Sequence, residues 1–162
     1  MAHNVTVAMD YRPWTIDCRS AMGYGPQQMR ELKLTDDRWC FACGEKNPSG
    51  LKLSLSPGDD GALRASFTFR KEHQGYTDVV HGGLVGLILD EIMLNLAWRT
   101  GMRAVTAALE LRFKKAVRVG ERVDFSGRIT GRNGRLVLAE AEARDTKGAL
   151  VATAKAKCLV VE

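Results

Sequence analysis

Asp90 stands between Leu87, Ile88, Leu89 and the pair Met93, Leu94. A carboxylate among such neighbours is desolvated at a cost unless it has partners or acts on a ligand. Just ahead of the same apolar run stands His81-Gly82-Gly83. If the run is a helix, its first N–H groups have no intrahelical acceptor and lie at the positive end of the helix dipole, where two glycines let a ligand approach the backbone. Such an end can stabilise a developing oxyanion, which acyl transfer demands, while a nearby carboxylate attacks the carbonyl carbon or deprotonates water. Each part also has a plainer reading: Gly-Gly as a tight entry into a helix, and Asp90 as a residue reaching a subunit interface or capping a neighbouring loop.

The spacing sharpens the chemical reading. Gly82 and Asp90 are eight residues apart, so on one helix they are separated by about 12 Å at 1.5 Å per residue. One carbonyl cannot touch both. If the two cooperate, they come from different subunits set antiparallel across a two-fold axis, which predicts a homodimer with two shared sites.

The elements that must hold these residues can be read from periodicity. From Leu84 to Trp98 eleven of fifteen residues are apolar and fall on every side of a helical projection, which predicts a helix buried nearly all round. Thr100-Gly101 ends it, with Gly101 a left-handed cap and Arg99 near the negative end of the dipole. Before it, Leu51, Leu53 and Leu55 alternate with polar residues, and Leu63, Ala65, Phe67 and Phe69 do the same after a turn at Pro57 to Gly61. Residues 71–80 read as a polar loop. Beyond the helix four more segments show period two: Leu109 to Phe113, Val123 to Ile129, Val137 to Ala143 and Ala154 to Cys158. Asn133-Gly134 is a strong hairpin signal between the second and third of them. The expected fold is therefore α+β, a sheet of about six antiparallel strands curled around one long central helix, its last four strands a meander. Residues 1–38 read as an N-terminal extension with one short helix, and residues 39–162 as the domain.

The string His81-Gly82-Gly83-Leu-Val-Gly-Leu-Ile-Leu-Asp90-Glu91 resembles the signature of hotdog-fold thioesterases of the PaaI type. Cys40-Phe-Ala-Cys43-Gly44, with Asn47, Gly50 and Leu51, looks like the opening of a bacterial branch of that family, and Thr106 to Phe113 and the Gly120 turn also fit. The resemblance implies an acyl-CoA thioesterase, dimeric or a dimer of dimers, needing no cofactor beyond the coenzyme A of its substrate. It puts Asp90 in the place of the nucleophile or general base and the Gly82 N–H, with Gly83, in that of the oxyanion hole. Thr106 falls where a Ser or Thr assists the attacking water from the partner subunit. Gln74 is the nearest candidate for the amide that orients the thioester carbonyl, one residue out of register. Ala116 stands near where the family often has a proline.

Other residues have two readings each. His81 is a candidate base, although a histidine at a helix entrance more often holds the loop by a hydrogen bond. Glu91, about 100° round the helix from Asp90, is the reserve carboxylate and heads a stripe with Asn95 and Arg99. Lys114 and Lys115, with Arg112 and Arg118, could meet coenzyme A phosphates, or are solvated charges on a strand face. Cys40 and Cys43 have the spacing of half a zinc site, with Cys18, Cys158 or a histidine as conceivable further ligands; one such pair is weak evidence, and packing without metal is the expectation.

Composition narrows the alternatives. A net charge of +5 spread over many segments argues against nucleic acid. The longest apolar stretch is interrupted by Asp90, Glu91 and Asn95, which argues against a membrane span. The start, MAHNVTVAMDYRPW, does not read as a secretory signal, and with four cysteines this makes a reducing cytoplasm the expected compartment. The rival readings are a module that binds an acyl or aromatic ligand without turnover, and a hydratase on the same fold.

Overall fold

The computed structural model describes residues 33–161, so Cys18 and most of the expected extension lie outside the described residues. The helix α1 runs Gly82–Arg99, within two residues of the expectation at each end. Strands β1 (Ser56–Pro57), β2 (Leu63–Thr68), β5 (Ala104–Phe113), β6 (Arg122–Asn133), β7 (Leu136–Asp145) and β8 (Leu150–Val160) form one antiparallel sheet in the order β1-β2-β6-β7-β8-β5. A separate two-stranded ribbon, β3 (Gln74–Tyr76) and β4 (Val79–Val80), occupies what the sequence presented as loop.

The helix packs on this sheet as expected, touching β2, β5, β6, β7 and β8. Val85, Ile88, Leu89, Ile92, Met93 and Ala97 are buried against it. The closest seat is at Gly127 of β6, where an added Cβ would lie 2.5 Å from Ile92 Cγ2, so the missing side chain is what lets the helix settle there. Burial is one-sided, however, and not all round. Leu84, Leu87, Leu94 and Leu96 keep partial exposure, and the first three of these repeat at helical spacing along the face turned away from the sheet. The cap is as expected: Gly101 has φ +80, a conformation costly for any residue with a Cβ, and the Thr100 hydroxyl donates to the Ala97 carbonyl at 2.8 Å.

Two expectations about strands are corrected. Leu51 to Leu55 do not form a strand of the sheet: Lys52 has φ +57, which breaks the extended run, and the Leu51 and Leu53 N–H groups donate to Phe41 and Ala42 carbonyls at 2.8 and 2.9 Å. Leu51 and Leu53 still fill the core, from a loop. Nor do the last four strands make a meander. β6, β7 and β8 do, but β5 pairs with β8, at the edge, while β6 pairs with β2. Residues 114–121 make the crossing, pinned by Lys114 N–H on the Val151 carbonyl, Val80 N–H on the Val117 carbonyl and Gly120 N–H on the Phe69 carbonyl.

The turn between β7 and β8 carries a buried acid. Asp145 accepts from Lys147 and Ala149 N–H groups, each at 2.9 Å, and from Lys115 Nζ at 2.6 Å. The Lys115 contact first, then the backbone donors, hold its carboxyl below the usual carboxylate range. A group with a lowered folded pKa contributes stability above its unfolded pKa of 3.8 and loses it as pH falls through the folded value. Asp145→Ala is therefore expected to lower Tm at pH 7 and to leave Tm at the acid end of the range, below pH 3.8, much closer to that of the unaltered protein. Thermal melts across pH check this.

Candidate active site

The expected catalytic carboxylate has a partner. Asp90 is half-buried on α1, and the Thr106 hydroxyl of β5 donates to its Oδ1 at 2.7 Å. This pair forms within one chain, where the resemblance had implied that Thr106 acts from the partner. Burial raises the Asp90 carboxyl above its ordinary value, the Thr106 hydrogen bond opposes this, and the charge of Glu91 adds to it. Behind Thr106, directly across the β5–β8 pairing, lies the fully buried Cys158. Its thiol is pushed up to about 11, chiefly by burial and then by the Asp90 charge, with Thr106 opposing. Cys158 therefore stays a neutral thiol. Only the period-two pattern of β8 could have placed it here.

The helix N-terminus is built more specifically than Gly-Gly alone foretold. His81 is the N-cap, and its Nδ1 accepts from the Gly83 N–H at 3.0 Å. This is the structural reading of His81, and it has a consequence: the Gly83 N–H is occupied, so of the two expected donors Gly82, at the first helical position, is the one His81 does not engage. His81 is itself anchored, its N–H donating to the His73 carbonyl at 2.9 Å. His73 is buried against Phe67 and Phe69 and its Nδ1 accepts from the Arg70 N–H; burial keeps its imidazole below its ordinary pKa. A cleft of about 450 Å³ opens at this end of the helix, lined among others by Gly75, Tyr76, His81, Gly82, Phe113 and Lys114. The Phe113 ring covers Gly82 so closely that an added Cβ would lie 3.4 Å from it.

Three further expectations separate here. Lys114 and Lys115 both border the cleft, but Lys115 is engaged by Asp145. Gln74 is spent locally: its Oε1 accepts from the Asp78 N–H at 3.0 Å and from Lys71 Nζ at 2.7 Å, closing the β3–β4 ribbon. Glu91 turns away from Asp90 and faces Cys40, Cys43 and Asn95. The Gly82 end and the Asp90–Thr106 pair thus lie two helical turns apart, and Asp90 does not line the cleft.

A six-stranded antiparallel sheet on a single helix, with His-Gly-Gly opening that helix and an aspartate two turns on, is the arrangement of the hotdog fold. Residues 77–152, just under half of the chain, match the family model described as the thioesterase superfamily, so the resemblance holds at that level. No curated protein matches the chain. Among solved structures, the thioesterase superfamily protein RHA08564 is 24% identical with a TM-score of 0.71, over 76% of this chain and 60% of that one. E. coli PaaI, from the phenylacetic acid degradation operon, is 16% identical with a TM-score of 0.65, over 69% of this chain and 81% of its own. A hypothetical thioesterase from Streptococcus pneumoniae, solved with coenzyme A, is 17% identical with a TM-score of 0.63, over 67% and 87% respectively. These likenesses establish the hotdog fold. Among the described residues no helix is long and apolar enough to cross a membrane.

Proposed function

We propose that this protein hydrolyses an acyl-CoA thioester to a free acid and coenzyme A, in sites shared between two copies of the chain in the cytoplasm. The observation that carries the reading is Asp90, a carboxylate half-buried on an apolar helix, fixed by Thr106, on the same helix whose first residue, Gly82, lines a cleft. The Gly82 N–H polarises the thioester carbonyl, and Asp90 of the partner subunit either takes a proton from the attacking water or attacks the carbonyl carbon itself. In both routes the C–S bond breaks and the thiolate of coenzyme A leaves. Lys114, at the cleft, is placed to meet its phosphates. Coenzyme A bound to the S. pneumoniae protein supports this ligand class. Two altered forms of that protein carry alanine at an aspartate and at a threonine sixteen positions apart, the separation of Asp90 and Thr106.

A second copy has a place to dock. Among the described residues β5 is an edge strand of ten residues with one side unpaired in the sheet, and long bare edges of this kind recruit another strand. Beside it lies the half-exposed stripe of Leu84, Leu87 and Leu94. Pairing β5 with β5 about a two-fold axis sets the two helices antiparallel, and two such dimers can pair into a tetramer.

Thiol release from a panel of acyl-CoAs tests the activity; absence of turnover on every member, with tight retention of one of them, would make this a binding module instead. Sharing is tested by complementation. Gly82→Pro removes the proposed oxyanion donor at the one helical position where proline is well tolerated, and His81 already has the extended ψ of 122 that a following proline prefers. It is expected to lower kcat by about 10²–10³-fold. Co-refolding it with Asp90→Asn gives mixed dimers holding one intact site, and roughly a quarter of wild-type activity should return. If no activity returns although mixed dimers form, the site lies within one chain.

A further inference from the structure

Glu91 makes no contact with the Asp90 pair; it closes a different cluster. Cys40 and Cys43 sit in a tight turn in which the Gly44 N–H donates to the Cys40 carbonyl at 2.8 Å. A Cβ on Gly44 would lie 2.4 Å from the Cys40 nitrogen, so only glycine closes this turn. The turn brings both sulfurs to one side, facing α1. There Glu91 meets them: Cys40 Sγ lies 3.6 Å from both Glu91 Oε1 and Oε2, and one donor atom from each of Cys40, Cys43 and Glu91 falls within 4.8 Å of the others.

The Cys40–Glu91 distance is that of a tetrahedral edge. Zinc bonds of about 2.3 Å to sulfur and 2.0 Å to oxygen at a tetrahedral angle put S and O about 3.5 Å apart, and two sulfurs about 3.8 Å apart. The carboxylate is also held the way a metal-binding carboxylate is held. Asn95, one turn along α1, donates from Nδ2 to Glu91 Oε1 at 2.7 Å and does not engage Oε2, which faces Cys40. All three residues are partly buried, so water can complete the coordination.

We propose that Cys40, Cys43 and Glu91 form a site for zinc or a similarly thiophilic divalent ion, with water or another donor in the fourth position. This replaces the expectation that the cysteine pair packs without metal. The third ligand comes from the helix, not from Cys158, which lies behind Thr106. Binding exchanges two thiol protons for the ion, so two protons are released per ion bound. Burial, and then Glu91, raise the Cys43 thiol far above the ordinary range, so without an ion Cys43 keeps its proton. With one, the loop that carries Leu51 and Leu53 into the core is clamped to α1 at the residue following Asp90.

The site is tested on the full chain, reduced, stripped with chelator and titrated with zinc chloride, with thioester hydrolysis left out of the readout. About one zinc per chain should bind, with release of protons, and cobalt should give a thiolate charge-transfer band. Cys40→Ser/Cys43→Ser should abolish the band, and Asn95→Ala should weaken zinc binding by roughly 10–100-fold. If the double variant does not fold, alkylation of the unaltered protein replaces it: zinc should shield Cys40 and Cys43. No zinc uptake, zinc retained by the folded double variant, or bound zinc that leaves both thiols open to alkylation would each overturn the proposal.

Discussion

Asp90→Asn lowers kcat/KM for acyl-CoA hydrolysis by about 10³-fold or more, while the fold and Tm change little. The asparagine is isosteric and still accepts the hydrogen bond that the Thr106 hydroxyl donates at 2.7 Å. What it loses is basicity and nucleophilicity, and general-base contributions alone run to about 10²–10⁴-fold. Because Asp90 carries a burial penalty in its charged form, the neutral amide relieves a cost, so stability holds or rises slightly. Thr106→Val separates the positioning role, since it keeps the Asp90 carboxyl but leaves it unheld; a loss well below that of Asp90→Asn is expected. Thiol-release kinetics and thermal melts on the same preparations check both halves. Wild-type turnover by folded Asp90→Asn would remove Asp90 from the chemistry.

Phe69→Ala produces the largest expected loss of stability. Phe69 is fully buried, edge-on to Phe67 and to Phe125, with His73 against its ring. Truncating such a side chain typically costs about 3–5 kcal/mol, transfer and cavity terms together. At roughly 2–4 °C per kcal/mol for a chain of this size, Tm should fall by about 6–20 °C. The loss should reach the site as well. Phe69 packs His73, His73 holds His81 through its carbonyl, and His81 caps the helix at Gly82. A drop in kcat/KM measured well below the new Tm is therefore expected alongside the stability loss. A variant with full activity and an unchanged denaturant midpoint would refute this chain of support.

The parts of the fold legible in the sequence are those specified by neighbours in the chain. α1 was bounded to within two residues by its apolar run and by Gly101, and the β6–β7 hairpin by Asn133-Gly134, where Gly134 has φ +56. What escaped depends on partners distant in sequence. The first half of β5, Ala104 to Ala108, carries small residues with one valine and so shows no period two, and its pairing with β8 has no local signal. Leu51, Leu53 and Leu55 alternate well enough, but Lys52 turns the backbone to positive φ and the loop at Phe41 and Ala42 takes the hydrogen bonds. The candidate site divides in the same way. Asp90 and Gly82 could be found from their spacing on one helix. Gln74 could not be told from a residue that closes its own turn, and Glu91 meets Cys40 from 51 positions away.

The order of strands also sets a timetable. Among the described residues β5 pairs with β8 alone, so residues 104–113 must wait for that pairing until residues 150–160 have been made. Until then the apolar strand that carries Thr106 has both edges bare, while β2, β6 and β7 can already pair among themselves. Closure of this long, non-local contact is the slow kind of folding step. Any lag between synthesis of β5 and arrival of β8 leaves both of its edges open to strands of other chains, and the last strand to arrive completes the sheet and covers one of the two.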